Sequence, residues 1–466
     1  MYKTPIRDTR ILRDSVRKNE STSQMFGLSR IQIRDYNSVV DAKSMETQQH
    51  KHQASTDSKI IPVGAELELL LEKDGKPMSW ADWKKLMPVI DRLTSNMAQP
   101  KIDTLTNELL GFEVNGLGVL TCDSSASQAE LAADPKSNKK ELLEALENLY
   151  NILDSALSEI GANIRWGSQY PGRISEEDYK KRVASKGVYA VLRKVWGWKH
   201  HEMHLSAAFQ PAVDIEPENA AAYLNSIYAT SPLAIMWFGG SSPSKGNEEC
   251  VYYEYRMHGW TRMLTNSKED KAIIGVKRFE DSKDYLDSLL KLKARVIALS
   301  HDYKTGSLAF FAPNVTGYDV LNGTTASLIT GILDLKNDKV STEEIQVSGI
   351  NLLNQMDWWA FWDARWRFKI NEDGSYAKSY IEVRNMGTSD SYGKLEPILD
   401  FFIALRHNYD KVNEMATSFG IWSNISDARE SAIRYGTVPA NHIEFLKYLT
   451  ESGIMPRDSL HSAKHI

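Results

Sequence analysis

The sequence predicts an α+β fold built on a mostly antiparallel β-sheet. Short apolar segments with strand patterning alternate with amphipathic helices in the order β, α, β, α, β, α, and long connections separate them. The chain has 466 residues, of which 42% are hydrophobic and 25% are charged. This composition is typical of a soluble globular protein with one large domain or two ordinary ones.

The first predicted strand begins near Ile60. The segment IIPVGAELELLLEKDG is short and apolar, and Asp74-Gly75 ends it as a turn. A helix-like segment, WADWKKLMPVIDRL, follows it. The next stretch, TLTNELLGFEVNGLGVLTCDSSASQAELAAD, contains several short β-like segments interrupted by Gly and Asn. We therefore expect several sheet strands before residue 135.

The clearest helix signal comes next. Apolar residues recur every three or four positions, Asn138 with Glu141 resembles a capping box, and Gly161 supplies the stop. The recurring apolar residues are Leu142, Leu143, Leu146, Leu149, Tyr150, Leu153, Leu157 and Ile160. Further strands are predicted in HEMHLSAAF and KSYIEVRNMG. Further helices are predicted in NAAAYLNSIYATSPLAIMWFGG, DSKDYLDSLLKLKARVIALS and LEPILDFFIALRHNYDKV.

Residues 1–58 differ from the rest in composition. They are rich in Ser, Thr, Gln, Asn and charged residues, and QQHKHQASTDSK has almost no apolar content. We expect a polar, flexible N-terminal extension over residues 1–58, followed by a single folded domain over residues 59–466.

Charge and cysteine content exclude several classes of protein. The formal net charge of -5 gives no general attraction to nucleic acid or to anionic membranes. Cys122 and Cys250 are the only cysteines, which is too few for a disulfide framework or a CxxC motif. There is no apolar run long enough to span a membrane and no secretory signal. A cytoplasmic protein is the expectation.

Two glutamates lie two residues apart in the first strand. Side chains alternate along a strand, so Glu66 and Glu68 are expected on the same face. Burying two like charges side by side is costly unless a cation neutralises them, and Mg²⁺ prefers such hard oxygen ligands. A strand with one polar, solvated face is the alternative interpretation.

Glu382 and Arg384 show the same spacing in the strand SYIEVRN. A cross-strand ion pair is one interpretation. A phosphoryl site is the other, because a planar guanidinium beside a metal-binding carboxylate can clamp phosphate oxygens. Glu130, in SSASQAELAADP, lies two residues after Gln128, so the two side chains would share one face of a strand. This segment leads into the strong helix.

His204 is predicted to lie on a strand, with Glu202 on the same face. Together with His200 and His201 it could suggest a transition-metal cluster. The spacing is not HExxH, however, and the cysteines of a structural zinc site are missing, so a packed histidine is favoured over zinc.

Taken together and in order, these segments resemble the glutamate–cysteine ligase family 2 of carboxylate–amine ligases, in the glutamine synthetase-like superfamily. GAELEL is similar to the family's opening G-x-E-x-E strand, and SQAELAADP is similar to its Gln-x-Glu segment. The resemblance covers roughly residues 60–450. The other matching segments are RWGSQYPGR, EMHLSAAF, SPLAIMWFGGSSPSKG, WDARWRFKINEDGSYAKSYIEVRN and SAIRYGTVPAN.

The resemblance implies a curved antiparallel sheet that forms a funnel with helices outside, and makes residues 59–466 a catalytic domain that uses ATP and Mg²⁺. Matching positions imply that Glu66, Glu68, Glu130 and Glu382 are metal ligands. They imply that His204 lies near the metal and phosphates, that Arg384 and Arg365 neutralise the transferred phosphoryl group, and that Arg256 contacts the acidic substrate.

The implied function is an ATP-dependent ligase that forms a γ-glutamyl-type amide through an acyl phosphate. Small amino acids are the implied substrates, glutamate with cysteine being the family's default, which would place the enzyme in glutathione biosynthesis as a monomer or homodimer. Two departures concern the substrate: NMGTSDS follows the ExR arginine, so Asp390 comes late, and the N-terminal extension has no counterpart in compact members.

Three alternatives stay open from the sequence. The superfamily fold also resembles guanidino kinases, which hold a reactive cysteine near the acceptor, and Cys250 lies in a loop-like context. A binding protein that keeps the funnel without catalysis is a second alternative. A larger amine acceptor, such as a peptide or a tRNA, is a third.

Overall fold

The computed structural model describes most of the chain between residues 61 and 456. The described ranges are 61–95, 97–103, 106–170, 175–187, 189, 203–239, 252–264, 274–294, 298–302, 307–311, 315–318, 329–334, 339–344, 360–371 and 375–456. The predicted N-terminal extension lies outside these ranges, as do Cys250, His200, His201 and Glu202.

The described chain contains both strands and helices, as the sequence predicts, but the strands between residues 293 and 344 are not among those predicted. The strands are β1 (Val63–Lys73), β2 (Lys76–Pro77), β3 (Ala98–Ile102), β4 (Leu109–Val114), β5 (Gly118–Cys122), β6 (Gln128–Lys136), β7 (Ala162–Arg165), β8 (Phe209–Asp214), β9 (Ile274–Gly275), β10 (Lys293–Ala294), β11 (Ala298–Asp302), β12 (Ser307–Phe311), β13 (Val315–Thr316), β14 (Ile329–Asp334), β15 (Lys339–Glu344), β16 (Phe361–Trp362), β17 (Ala364–Ile370) and β18 (Tyr376–Val383). The helices are α1 (Trp80–Thr94), α2 (Lys139–Glu159), α3 (Glu176–Lys180), α4 (Ala220–Phe238), α5 (Tyr255–Leu264), α6 (Ser282–Lys291), α7 (Leu395–Ser418), α8 (Ile425–Tyr435) and α9 (Ala440–Glu451).

A ten-stranded sheet dominates the described part of the fold. Its main order is β17-β18-β8-β1-β6-β5-β4-β3, and β2 and β7 pair with the far end of β1. Every strand pair in it is antiparallel. The predicted α+β class with a mostly antiparallel sheet is therefore confirmed.

The first strand and its turn form as the sequence predicts. β1 pairs back onto β2 across Asp74 and Gly75, which have φ angles of 51° and 69°. Both values lie in the left-handed region that a two-residue hairpin turn requires, and Asp and Gly tolerate it best. Leu67, Leu69 and Leu71 are fully buried on the face of β1 opposite the glutamates.

Helices cover this apolar face of the sheet. α2 packs against β1, β5, β6 and β7, while α4 packs against β17 and β18 and is in turn covered by α7 and α8. α2 begins where the sequence predicts, because the side chain of Asn138 accepts a hydrogen bond from the amide of Glu141 at 3.0 Å. The helices leave the other face of the sheet to the polar side chains.

Two predicted elements differ from those observed. The predicted strand HEMHLSAAF starts only at Phe209, and Met203–Leu205 form a 3₁₀ turn instead. The carbonyl of His204 accepts a hydrogen bond from the hydroxyl of Ser125 at 2.9 Å instead of one from a neighbouring strand. The predicted helix over DSKDYLDSLLKLKARVIALS ends at Lys291, because Leu292 is already extended (φ -63°, ψ 133°).

Among the described residues, no helix is both long and apolar enough to cross a membrane.

Candidate active site

The register of β1 brings the predicted carboxylates onto one face of the sheet. Glu68 lies directly opposite Glu130 of β6, and Glu66 lies opposite Ala132 of β6 and Gln210 of β8. Residues directly opposite each other in neighbouring strands project to the same side. Glu66, Glu68 and Glu130 are therefore neighbours, although Glu130 is more than sixty residues from the pair in sequence.

Glu382 joins this face from the next strands. It lies opposite Ala212 of β8, and Ala212 lies opposite Gly64 of β1, two residues before Glu66. Glu66 feels the charges of both Glu130 and Glu382, so it is the member of the group that links Glu382 to the other carboxylates. All four predicted glutamates share one face of one sheet.

Three carboxylates meet closely enough to share a cation. One oxygen from each of Glu68, Asp123 and Glu130 lies within 4.8 Å of the other two. Asp123 follows the end of β5, in the hairpin that leads to β6, and its amide donates to the carbonyl of Gln128 at 3.0 Å. We call Glu66, Glu68, Asp123 and Glu130 the acid end of the site.

The acid end holds its carboxylates in an unfavourable environment. Burial raises the pKa of Glu66 to about 8, helped by the neighbouring charges of Glu130 and Glu382. Burial and Asp123 likewise raise the pKa of Glu68 to about 8 and that of Glu130 to about 7. Like charges that share a desolvated space resist ionisation, and a divalent cation relieves that resistance.

Glu68 is fixed by donors on three sides. Its oxygens accept hydrogen bonds from the amide of Ala208 at 2.7 Å, from Nε2 of Gln210 at 2.8 Å and from Nε2 of Gln128 at 3.2 Å. The hydroxyl of Thr388 also holds the Glu68 carbonyl at 2.7 Å. These hydrogen bonds therefore orient the carboxylate of Glu68 without any cation. In metal sites, the side chains around a ligand orient it in the same way.

A lysine supplies a positive charge at the acid end. Nζ of Lys186 lies 3.7 Å from Oδ1 of Asp123, and the hydroxyl of Tyr189 donates to the same oxygen at 3.1 Å. Burial disfavours the ammonium, but Asp123, Cys122 and Glu130 outweigh it and raise the pKa of Lys186. Lys186 therefore stays charged beside the carboxylate cluster.

The opposite end of the site is rich in arginine. Nε of Arg365 lies 2.9 Å from Oε1 of Glu382, and its Nη2 lies 3.1 Å from Oε2, so the pair is bidentate. Nη1 of Arg384 lies 2.8 Å from Oε1 of Glu382, and Nε of Arg367 lies 3.5 Å from Oε2. We call Glu382 with Arg365, Arg367 and Arg384 the arginine end.

The arginine end inverts the electrostatics of the acid end. Burial alone would raise the pKa of Glu382, but Arg365, Arg384 and Arg367 outweigh it and lower the pKa to about 2. Burial, helped by the neighbouring Arg365, lowers the pKa of Arg384 to about 10. The positive charges here exceed the negative one, so this end favours an additional anion.

Arg256 bridges the two ends. It lies in the first turn of α5, where its Nη1 donates to the carbonyl of Arg384 at 2.9 Å and its guanidinium lies over the ring of Trp260 at 5.7 Å. Its charge also lowers the pKa of Glu68, against the effects of burial and Asp123. Burial raises the pKa of Glu254, two residues earlier, to about 7 despite the charge of Arg256.

His204 lies beside the site but not on the predicted strand. Its buried ring packs between Tyr179 and Tyr189, with ring centroids 5.0 and 5.4 Å away. The hydroxyl of Tyr189 in turn donates to Asp123, so the packing of His204 supports a side chain that contacts the acid end.

The structure thus brings Glu66, Glu68, Glu130, Glu382, Arg365, Arg384 and Arg256 to one region. Sequence reasoning missed Asp123 and Lys186. Asp123 lies seven residues before Glu130 at the end of an apolar strand, and this position is the signal that could have revealed it. Lys186 has no comparable signal, because it lies more than fifty residues after Glu130 in the sequence and only tertiary contacts bring it to the site.

Comparisons with known proteins give structural likeness only. No protein-family model matches the sequence, and a search of curated proteins finds no matching relative. A bifunctional glutathione synthetase from Pasteurella multocida is similar over 93% of this chain, with 12% identity and a TM-score of 0.41. This chain spans about half (49%) of the length of that protein.

Two other solved structures are similar over most of the chain. The ligase PafA, in a complex with the prokaryotic ubiquitin-like protein Pup, matches 86% of this chain and 79% of its own, at 9% identity and a TM-score of 0.26. A glutamate–cysteine ligase from Francisella tularensis in complex with AMP matches 87% of this chain and 80% of its own, at 13% identity and a TM-score of 0.46. Glutamate–cysteine ligase is also the enzyme whose family the ordered motifs of this sequence resemble.

Proposed function

We propose that the protein is an ATP-dependent ligase that joins a carboxylate to an amine through an acyl phosphate. The observation that carries the proposal is the convergence of Glu66, Glu68, Glu130 and Glu382 on one sheet face, with arginines at one end of it. Separate parts of the chain supply these residues, and Glu68 and Glu382 are buried while Glu66 and Glu130 are half-buried, which is unlike a solvated polar face.

The acid end fits Mg²⁺ in its chemistry. Glu68, Asp123 and Glu130 offer hard carboxylate oxygens within reach of one another, which are the ligands Mg²⁺ prefers. Glu66 is the further predicted ligand on the same face. Bound Mg²⁺ would neutralise these carboxylates and the charge that develops on the phosphate oxygens of ATP.

The arginine end fits the transferred phosphoryl group. Arg384 and Arg365 present guanidinium groups that can neutralise charge on equatorial phosphoryl oxygens while the chain holds them rigid. Glu382 fixes both arginines. Its predicted role as a metal ligand is kept in the proposal, and it would require Glu382 to share an oxygen between an arginine and the cation.

Two displacements account for the reaction. An oxygen of the substrate carboxylate attacks the γ-phosphorus of ATP, and ADP leaves. The amine nitrogen then attacks the acyl carbon, inorganic phosphate leaves, and the nitrogen releases a proton to solvent as the amide forms. Phosphoryl transfer depends on positioning and charge neutralisation, so no protein nucleophile is required. Cys122 is unsuited to that role, because burial raises the pKa of its thiol to about 12.

We assign glutamate and cysteine as the substrates, on the family resemblance of the sequence. Arg256 supports an acidic substrate, because its buried guanidinium lies next to both ends of the site. In this assignment His204 lies near the metal and the phosphates of the nucleotide, and the product would enter glutathione biosynthesis. We further propose that the enzyme is a monomer or homodimer, acts on small amino acids and is located in the cytoplasm. The two cysteines of the sequence support a reducing compartment, in which thiols stay free.

A phosphate-release screen tests the proposal. The full chain would be incubated with MgATP and pairs of amino acids, and products would be identified by mass spectrometry. A ligase yields ADP, free phosphate and an amide. ADP with a phosphorylated acceptor would instead indicate a guanidino-kinase type of phosphotransferase. Absence of MgATP binding in calorimetry would favour a non-catalytic binding protein.

A further inference from the structure

We infer that Asp363 and Arg429 form a buried ion pair that positions the backbone carrying Arg384. The inference rests on the proposed role of Arg384 at the transferred phosphoryl group. The side chain of Asp363 contacts Arg429 and Ser231, so we expect the pair to act through Arg384 and not on the substrate.

Asp363 lies where four parts of the fold meet. It immediately precedes β17, is fully buried, and its amide donates to the carbonyl of Gly275 at 2.8 Å. Its carboxylate accepts two contacts from Nε of Arg429, at 2.9 and 2.7 Å, and Nη2 of Arg429 lies 2.6 Å from Oδ1. Arg429 comes from α8, near the C-terminus of the described chain.

The backbone of Asp363 holds the end of β18 directly. Its carbonyl accepts the amide of Arg384 at 2.8 Å and the amide of Asn385 at 3.1 Å. The carbonyl of Arg384 is held from the other side by Arg256, at 2.9 Å. The peptide units on both sides of the Arg384 Cα are thus fixed, which sets the direction in which its side chain leaves the strand.

A second link joins the same elements through side chains. The hydroxyl of Ser231, on α4, donates to the carboxylate of Asp363. Nδ2 of Asn385 donates to the Ser231 oxygen at 2.8 Å. Asn385 directly follows Arg384, and its hydrogen bonds with Asp363 and Ser231 close a ring. Arg429 balances the negative charge of Asp363 in that ring.

A buried ion pair adds little to the free energy of unfolding by itself. Removing two charges from water costs several kcal/mol, and well-packed apolar replacements are often as stable. Buried hydrogen-bonded networks instead favour one geometry of the groups they join. The Asp363–Arg429 pair lies behind the one strand end that presents Arg384, so its geometry bears on the phosphoryl end of the site.

The test uses the full chain with Arg429→Met, which keeps the length of the side chain without its charge, and Arg429→Lys, which restores the charge. Asp363→Asn, an isosteric change, covers the case in which Arg429→Met does not fold. Arg406→Met is the matched control, because Arg406 also bonds a carbonyl and a carboxylate, those of Asp214 and Glu216, away from Arg384.

Amide hydrogen exchange reads the positioning without any need for activity. Arg429→Met should raise exchange in the peptide that contains Arg384 and Asn385 by about ten-fold, leave β6 unchanged, and be largely reversed in Arg429→Lys. Arg406→Met should leave that peptide unchanged. Unchanged exchange at Arg384 in Arg429→Met, or an equal rise across all strands, would overturn the inference.

Steady-state kinetics adds the functional consequence. In Arg429→Met, kcat for phosphate release should fall about 100-fold while KM for ATP changes less than about three-fold, because a displaced phosphoryl contact weakens the transition state. Normal kcat in the folded variant would overturn the inference even if stability dropped. A wild-type enzyme without phosphate release would contradict the proposed function, and the exchange experiment would still decide the positioning role.

Discussion

The acid end and the arginine end lie on the same face of the same sheet, yet their carboxylates behave in opposite ways. Glu68 and Glu130 have raised pKa values of about 8 and 7, while Glu382 has a pKa lowered to about 2. Burial raises all three. The difference comes from neighbours, since Asp123 repels at one end and three arginines attract at the other.

The comparison shows how one residue type can serve two purposes on one surface. At the acid end the protein places several carboxylates close together, and this arrangement favours the binding of a cation. At the arginine end three guanidinium groups surround one carboxylate, and the excess of positive charge favours the binding of an anion. MgATP carries both a cation and an anion, so its two parts match the two ends.

The largest expected effect is the loss of Arg384. Arg384→Ala should lower kcat for phosphate release about 10³-fold, because one guanidinium at the transferred phosphoryl group contributes that much in related chemistry. Steady-state assays with the identified substrates measure it. Arg92→Ala, a change to an exposed arginine of α1, is the control and should keep normal turnover. Near-normal turnover of a folded Arg384→Ala enzyme would remove Arg384 from the phosphoryl site.

Glu382→Gln tests the arginine end through stability. The change leaves Arg365, Arg367 and Arg384 facing one another without their shared counter-ion, so the free energy of unfolding should fall by about 3 kcal/mol or more. Urea unfolding without metal measures it. Glu130→Gln is the matched comparison and should not destabilise, because it removes a charge from a repulsive cluster. Equal losses in both variants would erase the contrast between the ends.

The acid end predicts a pH-dependent response to Mg²⁺. The folded pKa values of Glu66, Glu68 and Glu130, at about 8, 8 and 7, exceed the ordinary value of 4.5. The folded state therefore binds these protons more tightly, and this stabilisation is full below about pH 4.5 and is lost as pH rises towards 8.

Mg²⁺ replaces those protons. Scanning calorimetry should show a larger Mg²⁺-induced rise in Tm at about pH 8 than at about pH 6, because protons compete less at the higher pH. In Glu130→Gln the difference between the two pH values should shrink. A rise in Tm that is equal at both pH values would show that Mg²⁺ binds elsewhere.

A smaller effect is expected for Lys186. Lys186→Met removes the ammonium 3.7 Å from Asp123, so Mn²⁺ alone should bind several-fold more tightly at the acid end. Titration calorimetry of Mn²⁺ measures the change. Lys84→Met, on the exposed side of α1, is the control and should leave Mn²⁺ affinity unchanged. Weaker Mn²⁺ binding in Lys186→Met would show that Lys186 does not compete with the cation.

Local patterns predicted many of the strands and helices, but not the strands β10–β15 or how the strands pair. The alternation in β1 was enough to place Glu66 and Glu68 on one face, and the apolar spacing of α2 was enough to place that helix. The pairing of Glu68 with Glu130 depends on the register between β1 and β6, which the turns and packing of distant segments set. No local pattern contains that information.

The misplaced strand around His204 has a specific cause. The alternating sequence favours a strand, but hydroxyls from the β5–β6 hairpin bind the His204 carbonyl and hold it in a turn. The partners are about eighty residues away, so sequence reasoning could not foresee them. Lys186 and the Asp363–Arg429 pair escaped notice for the same reason, since tertiary contacts alone give them their surroundings.

The central claim is that the carboxylates of the acid end converge around a divalent cation. The most direct test compares the binding of Mn²⁺, a spectroscopic substitute for Mg²⁺, to the wild-type chain and to Glu130→Gln. Electron paramagnetic resonance should detect Mn²⁺ bound to the wild type, and Glu130→Gln should weaken that binding by about ten-fold or more, because a carboxylate ligand is lost. Absence of Mn²⁺ binding to the wild type, or equal affinity in the two proteins, would contradict the convergence of these carboxylates around a divalent cation.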